Sequence, residues 1–554
     1  MMKRFGAFLC GSLFLMLSAE AQSPFLPLNH ESYHAIQRLE IMENFLDSNI
    51  FSSVKPYSRR DVAHFADKFN TLPQAMSARD RLNLYYMTID NVKYTPEPTE
   101  DRIADKNVFN RFYLNKTDFY KVDKGGLYVR INPVLRLEAE YEKSLEKTNL
   151  RYSRGAEVQG ILDDKVSFYT QFTENVEQFP DYLNRLHDST GRIPGVAYNT
   201  KNSAGAIDYF DARGYINFSV TKHIHLTFGH DNNFIGNGYR SLILSDNVAG
   251  NLFLKVQTHF GRFTYTNLFN QFVNVEKTQS DGVRPKKYLS LHHLSFNAGK
   301  NLNFGIFEGV MQSRDDNSFD VNYLNPIIFY RSLERYLGSP DNVILGADFK
   351  YNFLKSGQIY GQFVLDEFRA QELFPNTNWW GNKYAWQLGG RYINMFGIYN
   401  LDAQIEYNRA RPFIYSHGNT SNGFHHYGQP IAHPLGANFT EWVAILDYQP
   451  AVKWFFQSKA IIATKGDNEN GLNYGGDPLL SNRSRAKEYD NFVGQGETHD
   501  ILYLSQRLTY RFHHGMNLDL NWGYRVDETK ANNTKLTDNF FGLGLRINIE
   551  NRKM

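Results

Sequence analysis

In the stretch LYVRINPVLRLEAEYEK, which begins at Leu127, apolar residues fall on the odd positions Val129, Ile131, Pro133, Leu135, Leu137, Ala139 and Tyr141. The even positions are Arg130, Asn132, Val134, Arg136, Glu138, Glu140 and Glu142. Successive side chains of a β-strand point to opposite faces, so this spacing predicts a strand with one greasy face and one wet face. FFGLGLRINI, near the far end, repeats it, with Phe541, Leu543, Leu545, Ile547 and Ile549 set against Gly542, Gly544, Arg546 and Asn548. Between the two lie about 16 further segments of strand length, bounded by turn residues.

The connections alternate between short and long. The short ones read LDDK, VTKH, FGR, AGKN, LKSG, NMFG, YQPA and HHG. The long ones cover approximately 143–149, 177–206, 233–250, 277–285, 314–342, 370–381, 410–438, 466–498 and 528–536. A β-sandwich has no reason to place every long loop on one side. A transmembrane barrel does, with short turns on its periplasmic side, long loops outside and an even strand number. The expected fold is therefore an all-β transmembrane barrel of about 18 antiparallel strands. Its greasy faces meet outer-membrane lipid, and closure satisfies every backbone group inside the bilayer. Composition agrees: aromatics make up 15% of the chain, with 35 Tyr and 43 Phe. They are dispersed rather than run together, and no stretch of about 18 apolar residues follows the first 21 to form a spanning helix.

Residues 1–21 read as a secretory signal: Lys3 and Arg4, an apolar stretch, then Ala19-Glu20-Ala21. The one cysteine, Cys10, lies within it, so the rest of the chain offers no disulfide, thiolate or Cys-ligated metal. Residues 22–112 are expected to form a periplasmic helical segment and linker, and 113–554 the barrel. HESYHAIQRLEIMENFL carries apolar residues at helical spacing, and Ser58-to-Asp61 and Ser77-to-Asp80 match capping boxes for two more helices. YTPEPTEDR looks like the linker. A net charge of +2 gives no field for nucleic acid, which is excluded as a partner.

The polar clusters fall on loops. TFGHDNNFIGNGYRSLILSD, 227–246, ends a strand at the outer rim and turns through Gly236 and Gly238. Two readings stand: the loop folds into the barrel mouth with Asp231 and Asp246 neutralising Arg240, or Asp231, Asn232 and Arg240 contact a ligand directly. His230 and Asp231 are adjacent on a strand and point apart, and no catalytic signature occurs, so the chain is read as non-enzymatic. NTNWWGNKYAW presents Trp379 and Trp380, suited either to stacking on sugar rings or to an aromatic girdle. SHGNTSNGFHHYGQPIAHPLGANF contributes His426, Tyr427 and Gln429; its histidines lack metal-ligand spacing, and no metal or other cofactor is expected.

With these residues in view, the chain resembles the capsule assembly protein Wzi family, in the variety found in Bacteroidetes-type bacteria. The resemblance rests on GHDNNFIGNGYRSLILSD, NPIIFYRSLERYLGSPDNVILGADFKY (325–351) and HHYGQPIAHPLGANFTEW (425–442). It implies an 18-stranded outer-membrane barrel with a periplasmic helical bundle, acting as a lectin that helps attach capsular polysaccharide to the cell surface. Related proteins in gliding bacteria are associated with surface motility. The expected contact or loop-architecture residues are Asp231, Asn232, Arg240, Trp379, Trp380, His426, Tyr427 and Gln429, and the expected partner is a surface polysaccharide. The alternatives are a porin, or a scaffold for surface-machinery proteins of motility or secretion.

Overall fold

The computed structural model describes residues 23–71, 76–95, 117–275, 282–327, 329–372 and 377–552. The expected export signal and most of the expected linker lie outside these. Eighteen strands close into one barrel: β1 (Leu127–Glu142), β2 (Lys147–Leu162), β3 (Val166–Glu177), β4 (Ile207–Ser219), β5 (Ile224–Asp231), β6 (Asn251–Phe260), β7 (Phe263–Val273), β8 (Lys286–Asn297), β9 (Leu302–Gln312), β10 (Asn342–Phe353), β11 (Gly357–Glu367), β12 (Lys383–Tyr392), β13 (Leu401–Ala410), β14 (Phe439–Ala451), β15 (Trp454–Asp467), β16 (Glu497–His513), β17 (Met516–Thr529) and β18 (Thr534–Ile547). Each pairs antiparallel with the next, and β18 returns to β1 from Ile547↔Leu135 to Phe540↔Glu142. Below that seam, Tyr120–Lys124 pairs with the first residues of β1, from Tyr120↔Ile131 to Lys124↔Leu127. Closure removes the unpaired edges that lipid cannot hydrogen-bond.

In β1 the even residues other than half-buried Glu138 are buried while the odd ones face out, as the alternation requires. Around the wall, outward Leu137, Phe172, Phe228, Phe304, Ile405, Ile462 and Leu543 are exposed and form the lipid-facing belt. Trp386, Tyr407 and Trp442 pack in tilted contact along the outer wall, their ring centroids 5.0 and 4.7 Å apart, and Trp454 packs on Tyr510 at 4.7 Å nearer the other end. Two of the connections expected to be long are four-residue turns, 143–146 and 530–533, because the flanking strands extend further than their patterning indicates.

At the short-turn end sit three helices, α1 (Ser32–Glu43), α2 (Arg59–Thr71) and α3 (Ala78–Asp90). The Ser77 hydroxyl accepts the Asp80 N–H at 3.0 Å, and the Ser58 hydroxyl accepts that of Asp61 at 3.4 Å, so both capping serines act as their spacing predicts. Helices of this length are marginal alone. Ile36 and Leu39 of α1, Val62, Phe65 and Phe69 of α2, and Leu84 and Met87 of α3 bury one another in a small core. The barrel turns hold that core in place: Leu46 N–H donates to Lys300 O at 2.7 Å, and Arg79 reaches Tyr399 O at 2.9 Å. Arg38, 2% exposed, bonds Asp80 at 2.8 Å and pairs with Asp402 of β13, which ties the helices to the wall.

The lumen divides into two halves. Over β6–β11 the inward face carries an apolar cluster: Phe253, Leu268, Phe272, Leu289, Leu291, Phe307, Met311, Ile344 and Val364 meet Leu242, Ile243 and Leu244 of loop 232–250 and Ile414, Phe424 and Ile431 of loop 411–438. This apolar cluster forms a dry core inside the barrel. The other half holds a polar cavity of about 510 Å³.

Candidate functional site: an occluded lumen beneath a lid of loops

Loop 232–250 leaves the loop end and dives into the lumen, where Phe234–Ile235 pairs antiparallel with Val54–Lys55 of the N-terminal segment. Gly236 N–H donates to Ser53 O at 2.7 Å, and Lys55 Nζ donates to Gly236 O at 3.2 Å. Chain entering from opposite ends of the barrel thus meets as a two-stranded sheet. Gly236 has φ +145, and a Cβ there would lie 2.4 Å from Gln362 Nε2, so a larger residue does not fit.

The wall grips the rest of the loop through inward polar residues. Glu406 accepts the backbone N–H of Tyr239 at 2.7 Å and of Arg240 at 3.1 Å. Gln362 accepts from Leu242 N–H at 2.8 Å, Gln387 donates to Arg240 O at 3.1 Å, and Tyr415 donates to Leu242 O at 2.7 Å. The Arg240 guanidinium, buried, meets Glu441 at 3.2 Å, and Glu441 also meets His433 at 2.8 Å. The expected neutralisation by Asp231 and Asp246 does not occur. Asp231 faces Arg213 at 3.8 Å and Asp246 accepts from Asn29 at 2.8 Å, because the loop's descent carries Arg240 to the far wall.

The other sequence-predicted residues brace the lid. Asn232 donates to Val248 O at 2.9 Å, closing its own loop. His426 Nδ1 accepts the Val273 N–H at 3.0 Å and Nε2 lies 3.3 Å from Gly250 O. Burial pushes the His426 imidazole down to about 3, against that hydrogen bond, so it is neutral. Gln429 accepts from Gly195 N–H at 2.9 Å and donates to Val196 O at 2.7 Å, joining loop 411–438 to loop 178–206. Tyr427, half-buried at φ +47, turns the chain between them.

Trp379 and Trp380 sit above the rim and apart from the outer girdle that includes Trp386. Both indole N–H groups donate to Glu488, at 3.0 and 2.9 Å. Arg369 lies 4.6 Å over Trp379 and Arg485 lies 4.4 Å over Trp380. Trp379 is buried and Trp380 half-buried. Burial opposes ionisation of Glu488, but the bonds from Trp379, Arg485 and Trp380 hold its carboxyl below the usual range. The structure therefore gathers Arg240, His426 and Gln429 into one packed lid and keeps the tryptophans at its margin.

Sequence reasoning missed the anchors Glu406, Glu441, Gln362, Gln387 and Glu488. The four on strands had one signal, a polar residue at an inward position, which most barrel strands share; Glu488 lies on loop 468–496 and had none. The cavity beside the lid runs from Pro194 and Gly195 to Gly515, and its lining has ten arginines and two lysines against nine carboxylates. Salt bridges such as Arg130–Asp90 at 3.0 Å and Arg213–Asp211 at 2.8 Å neutralise many of these. Among the described residues, no group of three or more His, Cys, Asp or Glu is placed to hold a metal ion.

Fold and lumen together define an outer-membrane β-barrel shut by its own loops and N-terminal segment. The chain belongs to the capsule assembly protein Wzi family, whose profile matches residues 147–540, and its role at the outer membrane is capsule-related. It is similar to the solved structure of Wzi from Escherichia coli, described as an outer-membrane protein involved in group 1 capsule assembly and a carbohydrate-binding β-barrel. Identity there is 12%, covering 96% of this chain and 100% of that one, with a TM-score of 0.57. OprD from Pseudomonas aeruginosa matches at 11% identity over 76% of this chain and 94% of that one, TM-score 0.40. OccAB1 from Acinetobacter baumannii matches at 9% over 76% and 96%, TM-score 0.42. No curated protein matches in sequence.

Proposed function

We propose that the protein is a non-catalytic surface lectin that holds capsular or other exported polysaccharide on the loop-end surface and does not pass it through the lumen. The carrying observation is the pairing of Val54–Lys55 with Phe234–Ile235, which bars the lumen with hydrogen-bonded backbone. The family, and the carbohydrate-binding barrel that this chain resembles in fold, support a glycan as the partner. In this reading residues 1–21 direct export, the N-terminal segment of residues 22–112 belongs to the periplasmic side with Val54–Lys55 reaching up into the lumen, and the long-loop end faces outward.

Trp380 and Tyr427, half-buried on the lid, are the groups best placed to touch sugar. Asp231, Asn232, Arg240, Trp379, His426 and Gln429 support them by fixing the loops. A repeating polymer engages many such weak sites at once, and avidity does the rest.

The test is a deletion strain: polysaccharide synthesis continues while cell-associated polysaccharide falls and the medium gains it. Unchanged retention on the cells overturns the reading.

A further inference from the structure

The connection between β9 and β10, described over 313–327 and 329–341, does not rise from the rim. It folds down the outside of the barrel. The outward residues of β7, β8 and β9 beneath it are unusual for a lipid-facing wall: Asn267, Ser290, His292 and Gln312 are buried, and Glu308 stands beside them. The descending segment satisfies this polar strip. Glu308 accepts the N–H groups of Tyr330 and Arg331 at 2.7 and 2.8 Å, capping the start of a short helix, α4 (Tyr330–Leu337). Tyr265, on the outer face of β7, lies 2.5 Å from His292 and donates to Pro326 O, and Tyr288 donates to Asn317 O at 2.8 Å. Tyr323, Tyr330 and Leu333 pack on outward Val310 and Val343.

The outer surface of the same segment carries a group of exposed apolar side chains. Tyr336 is 87% exposed, Ile327 84%, Phe329 74% and Val321 70%. They continue the belt made by exposed Phe304, Ile306 and Leu345 on the adjoining wall. Glu308 lies four residues below the loop end of β9, or about 13 Å along the strand. The tip beside it is therefore within the apolar band of about 25 Å that such barrels present. From there α4 climbs back toward the rim with Arg331 and Arg335 on its exposed side. Arg331 is paired with Glu334 at 3.0 Å, and Arg335, one turn higher, can extend its stem toward lipid headgroups.

We propose that this segment is a lipid-seated flap: Ile327 and Phe329 insert among the acyl chains of the outer leaflet, and Arg335 meets headgroup phosphate. It converts a polar strip of wall into membrane-facing surface, so it takes no part in holding polysaccharide.

The test uses the full chain with Cys10→Ala and Ile327→Cys, labelled with a fluorophore and reconstituted into phosphatidylcholine vesicles whose acyl chains carry bromine. Tyr336→Cys gives a second site, and Tyr489→Cys on loop 468–496 gives an aqueous control. The label at 327 is expected to lose most of its emission to the brominated lipid and none to iodide in the water, with the reverse at 489. Iodide quenching at both 327 and 336 overturns the proposal. So does protection from both quenchers together with cross-linking to a second protein.

Discussion

Arg240→Met measures how firmly the lid is held. The substitution keeps most of the stem's apolar volume but removes the guanidinium 3.2 Å from Glu441, which is 1% exposed. Breaking a buried pair from one side costs about 3–5 kcal/mol. Glu441 keeps His433 at 2.8 Å and Asn408 at 3.0 Å, so the lower figure applies. About 3 kcal/mol is roughly a hundredfold in the ratio of lifted to seated loop. The readout is amide hydrogen exchange of the detergent-solubilised chain. Peptides spanning 234–244 are expected to exchange about a hundredfold faster in the variant, while β1 and β2 are unchanged. Adding Glu441→Gln removes the stranded charge and is expected to recover much of the protection. If the single variant exchanges at the native rate, the loop is not held by this pair and the account of the lid is wrong.

Acid should loosen the lid through His426. Its imidazole sits near 3 in the folded loop against about 6.5 when released, so only the released form takes up a proton between those values. Seated-loop stability then falls as pH drops below about 6.5, by about 2 kcal/mol at pH 5, and His426→Gln should flatten that dependence in exchange rates measured against pH. In planar bilayers the native barrel is expected to show no large steady channel; Gly236→Val, which disturbs the sheet inside the lumen, should introduce openings, and a large native conductance would refute the occlusion. Replacing both Trp379 and Trp380 by Ala leaves Glu488 with Arg485 alone and should weaken binding on a glycan array while heat-modifiable migration shows an intact barrel. Unaltered glycan binding would assign the pair to loop bracing alone.

The wall was legible because period two is a local signal that a strand of ten residues repeats several times, and the capping serines were legible because a cap spans four residues. The interior was not. Arg240 finds its carboxylate 201 positions away, and Val54–Lys55 meets its partner through two residues on each side, too few to leave a pattern. On β7, FTYTNLFNQFV turns Leu268 and Phe272 inward because a folded loop, and not water, meets them in the lumen. The outward polar residues His292 and Glu308 look like lumen positions until a descending segment is seen to cover them. Asp231 was placed beside Arg240 by nearness in sequence, and the dive of the loop separated them.

The small sheet in the lumen joins a loop from one side of the membrane to a segment from the other. A tug on Phe234–Ile235, from anything the outer loops grasp, is transmitted to Val54–Lys55 and on through Arg38 and Asp402 to the wall. Load taken at the surface is thereby shared with the far end of the barrel instead of being borne by the loop stems alone.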